Sequence, residues 1–184
     1  MSKLSSPAVV AALLAEHGIK LKQKWGQNFL VDENILRKIV QIAEVSSHDH
    51  VLEIGPGIGT LTQKLAEKAG RVTAFEVDSR LLPVLEKTLA PHKNVEIVLQ
   101  DALAADYGSF CASGSPVKLV ANLPYNIATP LLYLWLKKYR SCFSRLVCMV
   151  QKEVAERLVA LPGSKAYGVL SVVCRYASQA EIAF

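Results

Sequence analysis

His50-Val51-Leu52-Glu53-Ile54-Gly55-Pro56-Gly57-Ile58-Gly59-Thr60 is the stretch that decides the fold. Its first five residues form a short apolar run that stops at a glycine. That reads as a buried strand entering a tight turn. Leu61, Leu65 and Ala69 then recur at helical spacing as far as Gly70, a natural C-cap. Upstream, Asp32 is a good N-cap for a helix whose apolar face is Ile35, Leu36, Ile39, Val40 and Ala43. Downstream the cycle repeats. The pattern predicts a strand at 71–76, a helix at 79–89 with Pro83 tolerated in its first turn, and a strand at 95–99. After a Gly/Ser-rich loop at 113–116 come a strand at 117–121, a helix at 130–137 and a strand at 146–150. Helices at 153–161 and 167–177 follow, and a sixth strand starts within 181–184. Strands alternating with helices predict an α/β fold with a mainly parallel, doubly wound sheet. Ligands in such sheets bind beyond the carboxyl ends of the strands.

Composition narrows the class. The chain has 184 residues, 51% hydrophobic and 20% charged, which fits one folded domain with a short appendage and excludes a disordered chain. No apolar stretch approaches the roughly 20 residues that span a bilayer, so no membrane is expected as a partner. The N-terminal MSKLSSPAVVAALLAEHG reads as a short amphipathic helix rather than a signal peptide. Cys111, Cys142, Cys148 and Cys174 include no C-x-x-C pair. They are expected to be reduced and half-buried, in a cytoplasmic protein. His17, His48, His50 and His92 are scattered, so no metal site is expected. Lys plus Arg is 21 against 16 for Asp plus Glu, a net +5 that mildly suggests a polyanionic partner. Lys20, Lys22 and Lys24 alternate before Trp25, and Lys137, Lys138 and Arg140 surround Tyr139. Solvated surface explains either cluster equally well.

Four signals stand at strand ends. The glycines of Gly55-Pro-Gly57-Ile-Gly59 let the backbone turn sharply and approach a ligand closely, although many α/β proteins need such a loop only to turn. Thr60 stands where the dinucleotide fingerprint has its third glycine. Glu76 ends the second strand, where an acid can accept both hydroxyls of a ribose. Asp101 follows the third strand, where a carboxylate can take an adenine amine or simply cap a turn. These three describe an adenosine-containing cofactor. Asn122-Leu-Pro124-Tyr125 follows the fourth strand. An amine on an aromatic base is a poor nucleophile because its lone pair is delocalised. An amide oxygen and a backbone carbonyl can hold its two hydrogens, and those bonds strengthen as the nitrogen becomes tetrahedral and cationic. Pro124 stiffens the loop, and Tyr125 offers a ring for a flipped-out base.

Here the chain resembles a known family. Asn122 to Tyr125 resembles the signature of S-adenosylmethionine-dependent amino-group methyltransferases. With Gly26-Gln-Asn-Phe-Leu30, Glu53 to Thr60 and Tyr167-Gly-Val-Leu-Ser171, it is similar to the small-subunit ribosomal RNA adenine dimethyltransferases. The likeness runs from about Lys24 to Phe184. It implies a Rossmann-like class I methyltransferase fold, with residues 1–30 as a basic segment folding over the cofactor site and 31–184 as the catalytic domain. It further implies that Asn28 and Leu30 contact S-adenosylmethionine, that Gly55 and Gly57 hold its methionine moiety, and that Glu76 and Asp101 take ribose and adenine. Asn122 would lie beside both cofactor and target amine, Pro124 would offer its carbonyl, and Tyr125 its ring. The implied activity is dimethylation of adenine amines in small-subunit rRNA, on a ribosome precursor, by a monomer without metal.

Family members continue with a proline-rich segment bearing a base-closing aromatic, a last strand and a small helical domain, whereas this sequence stops at Phe184. Trp25 stands where smaller residues are commoner. The related large-subunit methyltransferases of the antibiotic-resistance type share Gln27 to Leu30 and the Asn-x-Pro-Tyr loop. They usually carry other residues at Pro56, Ile58 and Thr60, which favours the small-subunit reading. A non-catalytic RNA-binding assembly factor that keeps the fold is the alternative from another class.

Overall fold

The computed structural model describes residues 4, 6–19, 29–112 and 115–184. Strands β1 (His50–Ile54), β2 (Arg71–Glu76), β3 (Val95–Leu99), β4 (Val117–Asn122) and β5 (Phe143–Met149) pair in parallel, in the order β3-β2-β1-β4-β5. The order reverses between β1 and β4, so a crevice opens beyond their carboxyl ends.

Side chains of one strand serve two cores. Leu52, Ile54, Leu119 and Ala121 enter one cluster, while their neighbours Val51 and Val120 enter another. Burial on both faces explains why the central strands read as continuous apolar runs instead of alternating ones. On the first face lie α6 (Ala128–Lys138) and α7 (Lys152–Val159), contributing Leu131, Leu132, the fully buried Trp135 and Val154. On the second face lie α2 (Glu33–Ile42) and α3 (Thr60–Ala66) through Leu36, Ile39, Leu61 and Leu65. Each such leucine contributes roughly 1.5–3 kcal/mol by burial. Asp32 caps α2 by accepting the N–H of Asn34 (2.8 Å) and Ile35 (3.2 Å). The N-terminal helix α1 (Pro7–Glu16) lays Val10, Leu13 and Leu14 on α4 (Leu82–Leu89), against Val84, Leu85 and Leu89. Helices α5 (Gly108–Cys111) and α8 (Val169–Ala177) complete the chain order.

Several expectations need correction. Residues 181–184 form no strand. Ile182 and Phe184 alternate as in a strand, but both stay half-exposed, and Lys38 sits over the Phe184 ring at 4.3 Å. Two apolar residues in four do not compel pairing without a face to bury. Gly70 is not the cap of α3, which ends at Ala66 with Glu67 in right-handed conformation. Glycine is needed at 70 because a Cβ would collide with the Ser47 carbonyl oxygen. Helix α8 begins at Val169 rather than at 167, because the extended Gly168 precedes it and donates its N–H to Ser171 Oγ (3.1 Å). Cys111 and Cys142 were expected to be reduced. They meet as a disulfide between α5 and the turn Arg140–Cys142, with Cα atoms 5.2 Å apart, a proximity that a 31-residue separation hides.

Candidate functional site

An open cleft of about 720 Å³ lies at the carboxyl ends of β1, β2, β3 and β4. Gly55, Gly57, Glu76, Asp101, Asn122, Pro124 and Tyr125 all line it. Asn28 lies outside the described residues. Leu30 packs toward α2 and α3 instead of lining the cleft, and its carbonyl accepts the Thr60 hydroxyl (2.8 Å).

The glycine loop continues the β1–β2 ladder, with Gly55 N–H donating to the Phe75 carbonyl (2.9 Å). Gly55 and Gly57 have φ of +69° and +60°, a region where side chains strain the backbone. A Cβ on Gly57 would press within 2.9 Å of the Phe29 ring. Phe29, a lining residue absent from the sequence-derived set, thus closes one wall of the cleft and also touches the α1–α4 cluster. Its signal was present in the Gly26 to Leu30 stretch, beside Asn28.

Glu76 is buried, and its Oε1 accepts the N–H of Val77 and of Asp78, each at 2.8 Å. Burial raises its carboxyl above the usual carboxylate range, against the pull of the Asp78, Val77 and Gly57 N–H groups. A carboxylate has more acceptor sites than these donors fill, so capacity remains toward the cleft. Asp101 caps the turn that follows it. Its Oδ1 accepts Leu103 N–H (2.9 Å) to start the turn Ala102–Ala104, and the residue still lines the cleft. Gln100, Phe75, Leu81, Ile127 and the 58% exposed Val77 complete the wall. Val77 had a local signal, an apolar side chain directly after the strand-end acid.

Asn122 is the last residue of β4, held in register with Met149 of β5. The next N–H, of Leu123, donates to the Met149 carbonyl (3.0 Å). The Pro124 carbonyl accepts Ile127 N–H (3.2 Å) and Ala128 N–H (3.1 Å), so it is committed to launching α6. Among the described residues no backbone N–H donates to the Leu123 carbonyl one residue earlier. Tyr125 stands at the mouth, 46% exposed.

Beneath the glycine loop, Glu53 is fully enclosed. Burial pushes its carboxyl up to about 8, with Thr62 beside it lowering the value and the charge of Glu76 raising it. The Thr62 hydroxyl falls short of hydrogen-bond geometry, so Thr62 Oγ1 and Glu53 Oε2 are both unpartnered.

The Lys137, Lys138 and Arg140 cluster is not at the cleft. Lys20, Lys22 and Lys24 lie outside the described residues. Helix α6 leaves the cleft after Ile127 and reaches Lys138 about 16 Å further on, at 1.5 Å per residue. The Arg140–Cys142 turn then enters β5 at Phe143, which pairs with Val117 at the opposite end of the sheet. Among the described residues no group of three His, Cys, Asp or Glu could hold a metal ion, and no helix is long and apolar enough to cross a membrane.

A parallel sheet with a strand-end acid, a glycine loop and an Asn-x-Pro-Tyr turn at its switch point defines a Rossmann-like methyltransferase fold. Solved structures agree. A dimethyladenosine transferase from Plasmodium falciparum superposes with a TM-score of 0.69 at 34% identity, over 80% of this chain and 52% of that one. The 23S rRNA methyltransferase ErmE superposes with a TM-score of 0.61 at 32% identity, over 71% and 50%. The model of the ribosomal RNA adenine dimethylase family matches residues 18–183, and the chain belongs to that family. It is 51% identical over 188 residues to the ribosomal RNA small subunit methyltransferase A of Ligilactobacillus salivarius, across 100% of this chain and 63% of that protein. Its namesake in Streptococcus thermophilus is 48% identical over 99% and 64%. The chain thus spans somewhat less than two thirds of the length of these relatives.

Proposed function

We propose that residues 31–184 are the catalytic domain of an enzyme that transfers methyl groups from S-adenosylmethionine to the exocyclic amine of adenines in small-subunit rRNA. The observation that carries this reading is convergence. Glu76, Asp101, Asn122 and Tyr125, from the carboxyl ends of three different strands and the loops that follow them, share one cleft. The relatives named for small-subunit methylation, at 48–51% identity, support the choice of substrate.

The donor set fits the cofactor. Glu76 has acceptor capacity for ribose hydroxyls, and Asp101 has a second oxygen for an adenine amine. Phe29 and Val77 supply apolar walls, and the side-chain-free loop at Gly55 and Gly57 admits close approach. Asn28 would add a contact from residues 1–30, the segment proposed to fold over the site. When bound, S-adenosylmethionine supplies an electrophilic sulfonium methyl.

This chain's residues do the rest. Tyr125 stacks the flipped adenine at the mouth. Asn122 Oδ1 accepts one amine hydrogen. The Leu123 carbonyl is the better acceptor for the other, because that of Pro124 already serves α6. Pro124 keeps the turn rigid. Both bonds strengthen as the nitrogen becomes cationic, so they stabilise the transition state more than the ground state. Holding the amine in line supplies much of the acceleration, and no strong base is needed.

The test is transfer of labelled methyl to rRNA, with the modified positions mapped on both subunits. Dimethylated adenines on the small subunit support the reading. Large-subunit adenines point to the resistance-type enzymes, and absence of transfer with intact cofactor binding points to an assembly factor. A cytoplasmic monomer is part of the same proposal.

A further inference from the structure

Lys137 and Lys138 at the end of α6 and Arg140 in the turn before β5 lie at the pole opposite the cleft, and Arg175, in the last turn of α8, directly precedes Tyr176, whose ring Arg140 faces. All four are exposed. Several exposed cations elsewhere face carboxylates, as in Arg71–Glu96 (2.7 Å), Lys87–Glu16 (2.6 Å) and Arg145–Glu44 (2.9 Å), while Lys68, Lys93 and Arg157 form no ion pair among the described residues. Among the described residues none of these four cations forms an ion pair. Three rest on rings instead. Lys137 Nζ lies 5.4 Å from the Tyr133 centroid, Lys138 Nζ 4.7 Å from Tyr139, and Arg140 Cζ 5.3 Å from the 80% exposed Tyr176. The acid on this flank, Asp106, already accepts Gly108 N–H (3.1 Å) and the Tyr139 hydroxyl (3.5 Å).

We propose that this pole is a second RNA-contacting surface, gripping phosphates of the substrate RNA well away from the target base. The inference rests on the RNA reading above and adds a location to it. Cations backed by rings and free of carboxylates keep their charge for an external anion, and arginine's planar fork suits phosphate. A ring as open as Tyr176 also offers a stacking face. The cleft and the pole are separated by the length of α6, about 16 Å. An RNA touching both must span that distance. The site therefore recognises backbone flanking the target adenine and carries no base specificity.

The test compares the wild-type chain with the triple variant Lys137→Gln/Arg140→Gln/Arg175→Gln. Binding to labelled small-subunit rRNA is measured across a salt series, with S-adenosylmethionine affinity and thermal unfolding measured alongside. The logarithmic salt slope is expected to shrink by about two to three, since each lost phosphate contact removes close to one from it. Cofactor affinity and melting temperature are expected to stay unchanged. Tyr176→Ala is expected to weaken binding without changing the slope. An unchanged slope in the triple variant overturns the proposal, including the case where the variant instead loses a ribosomal protein through the exposed Val169 and Val172 of α8. If wild type methylates rRNA while the slope is insensitive, only this inference fails. If wild type neither binds nor methylates rRNA, the functional reading fails and takes this one with it.

Discussion

The two sides of the switch point are built differently. On the β1–β3 side each acid is fixed by backbone: Glu76 by two N–H groups at 2.8 Å, and Asp101 by Leu103 N–H. That wall is set before any ligand arrives. On the β4 side Tyr125 stands half in solvent, and the turn that carries it is braced from below by α6 through the Pro124 carbonyl. A small, invariant cofactor suits the first construction, and a base extracted from a large RNA suits the second. Damage on one side should therefore appear in cofactor affinity, and damage on the other in rate and RNA engagement.

The largest expected effect sharpens that division. Asn122→Ala should lower methyl transfer by roughly 10²–10³-fold, the cost of removing a hydrogen bond made mainly in the transition state. S-adenosylmethionine affinity, measured by calorimetry, should stay within a few-fold. A matching loss of affinity would erase the distinction between the two sides.

Glu53 tests the buried support of the cofactor side. Its folded-state carboxyl, at about 8, lies above the usual 4.5, so the folded protein holds a proton that the unfolded chain releases. Stability should fall as pH rises from 4.5 to 8 and level off above, by roughly 3–5 kcal/mol in all. Urea unfolding at pH 5 and pH 8 measures this fall. Glu53→Gln should flatten it, and an equal fall in that variant would remove Glu53 as the cause.

Glu76→Ala should weaken S-adenosylmethionine binding by roughly 1–3 kcal/mol while sparing RNA affinity. Unchanged cofactor affinity in calorimetry would take Glu76 out of the site.

Tyr125→Ala should cost about 1–3 kcal/mol in RNA engagement, and Tyr125→Phe much less, because the ring acts rather than the hydroxyl. Equal loss in both, read from rate against RNA concentration, argues against stacking.

The first three strands were legible to the residue, because each is a short, mostly apolar run closed by a glycine or a polar residue: Gly55, Glu76 and Gln100. β5 starts at Phe143 rather than 146, since Ser144 and Arg145 break the apolar pattern while their backbone still pairs with β4. The site acids and the Asn122 to Tyr125 turn were legible as strand-end residues. Phe29 lay in the legible Gly26 to Leu30 stretch, but its place in the cleft wall was not legible, because it depends on a contact with Gly57 across the chain. Nor was the placement of Lys137, Lys138 and Arg140, because charge on a helix gives no sign of which end faces the ligand. The role of the Pro124 carbonyl needed the observed bonds that begin α6.

The pairing of β1 with β4 has a consequence in time. Lys118, at the start of β4, bonds Asp49 across a separation of 69 residues, whereas β1, β2 and β3 follow one another closely. Distant pairings form late because the intervening chain must first be brought together. During synthesis the three strands that carry Glu76 and Asp101 can assemble while β4 is still being made. The crevice between β1 and β4 can form only once β4 has joined, so the proposed cofactor wall can take shape before the Asn122 to Tyr125 turn is in place.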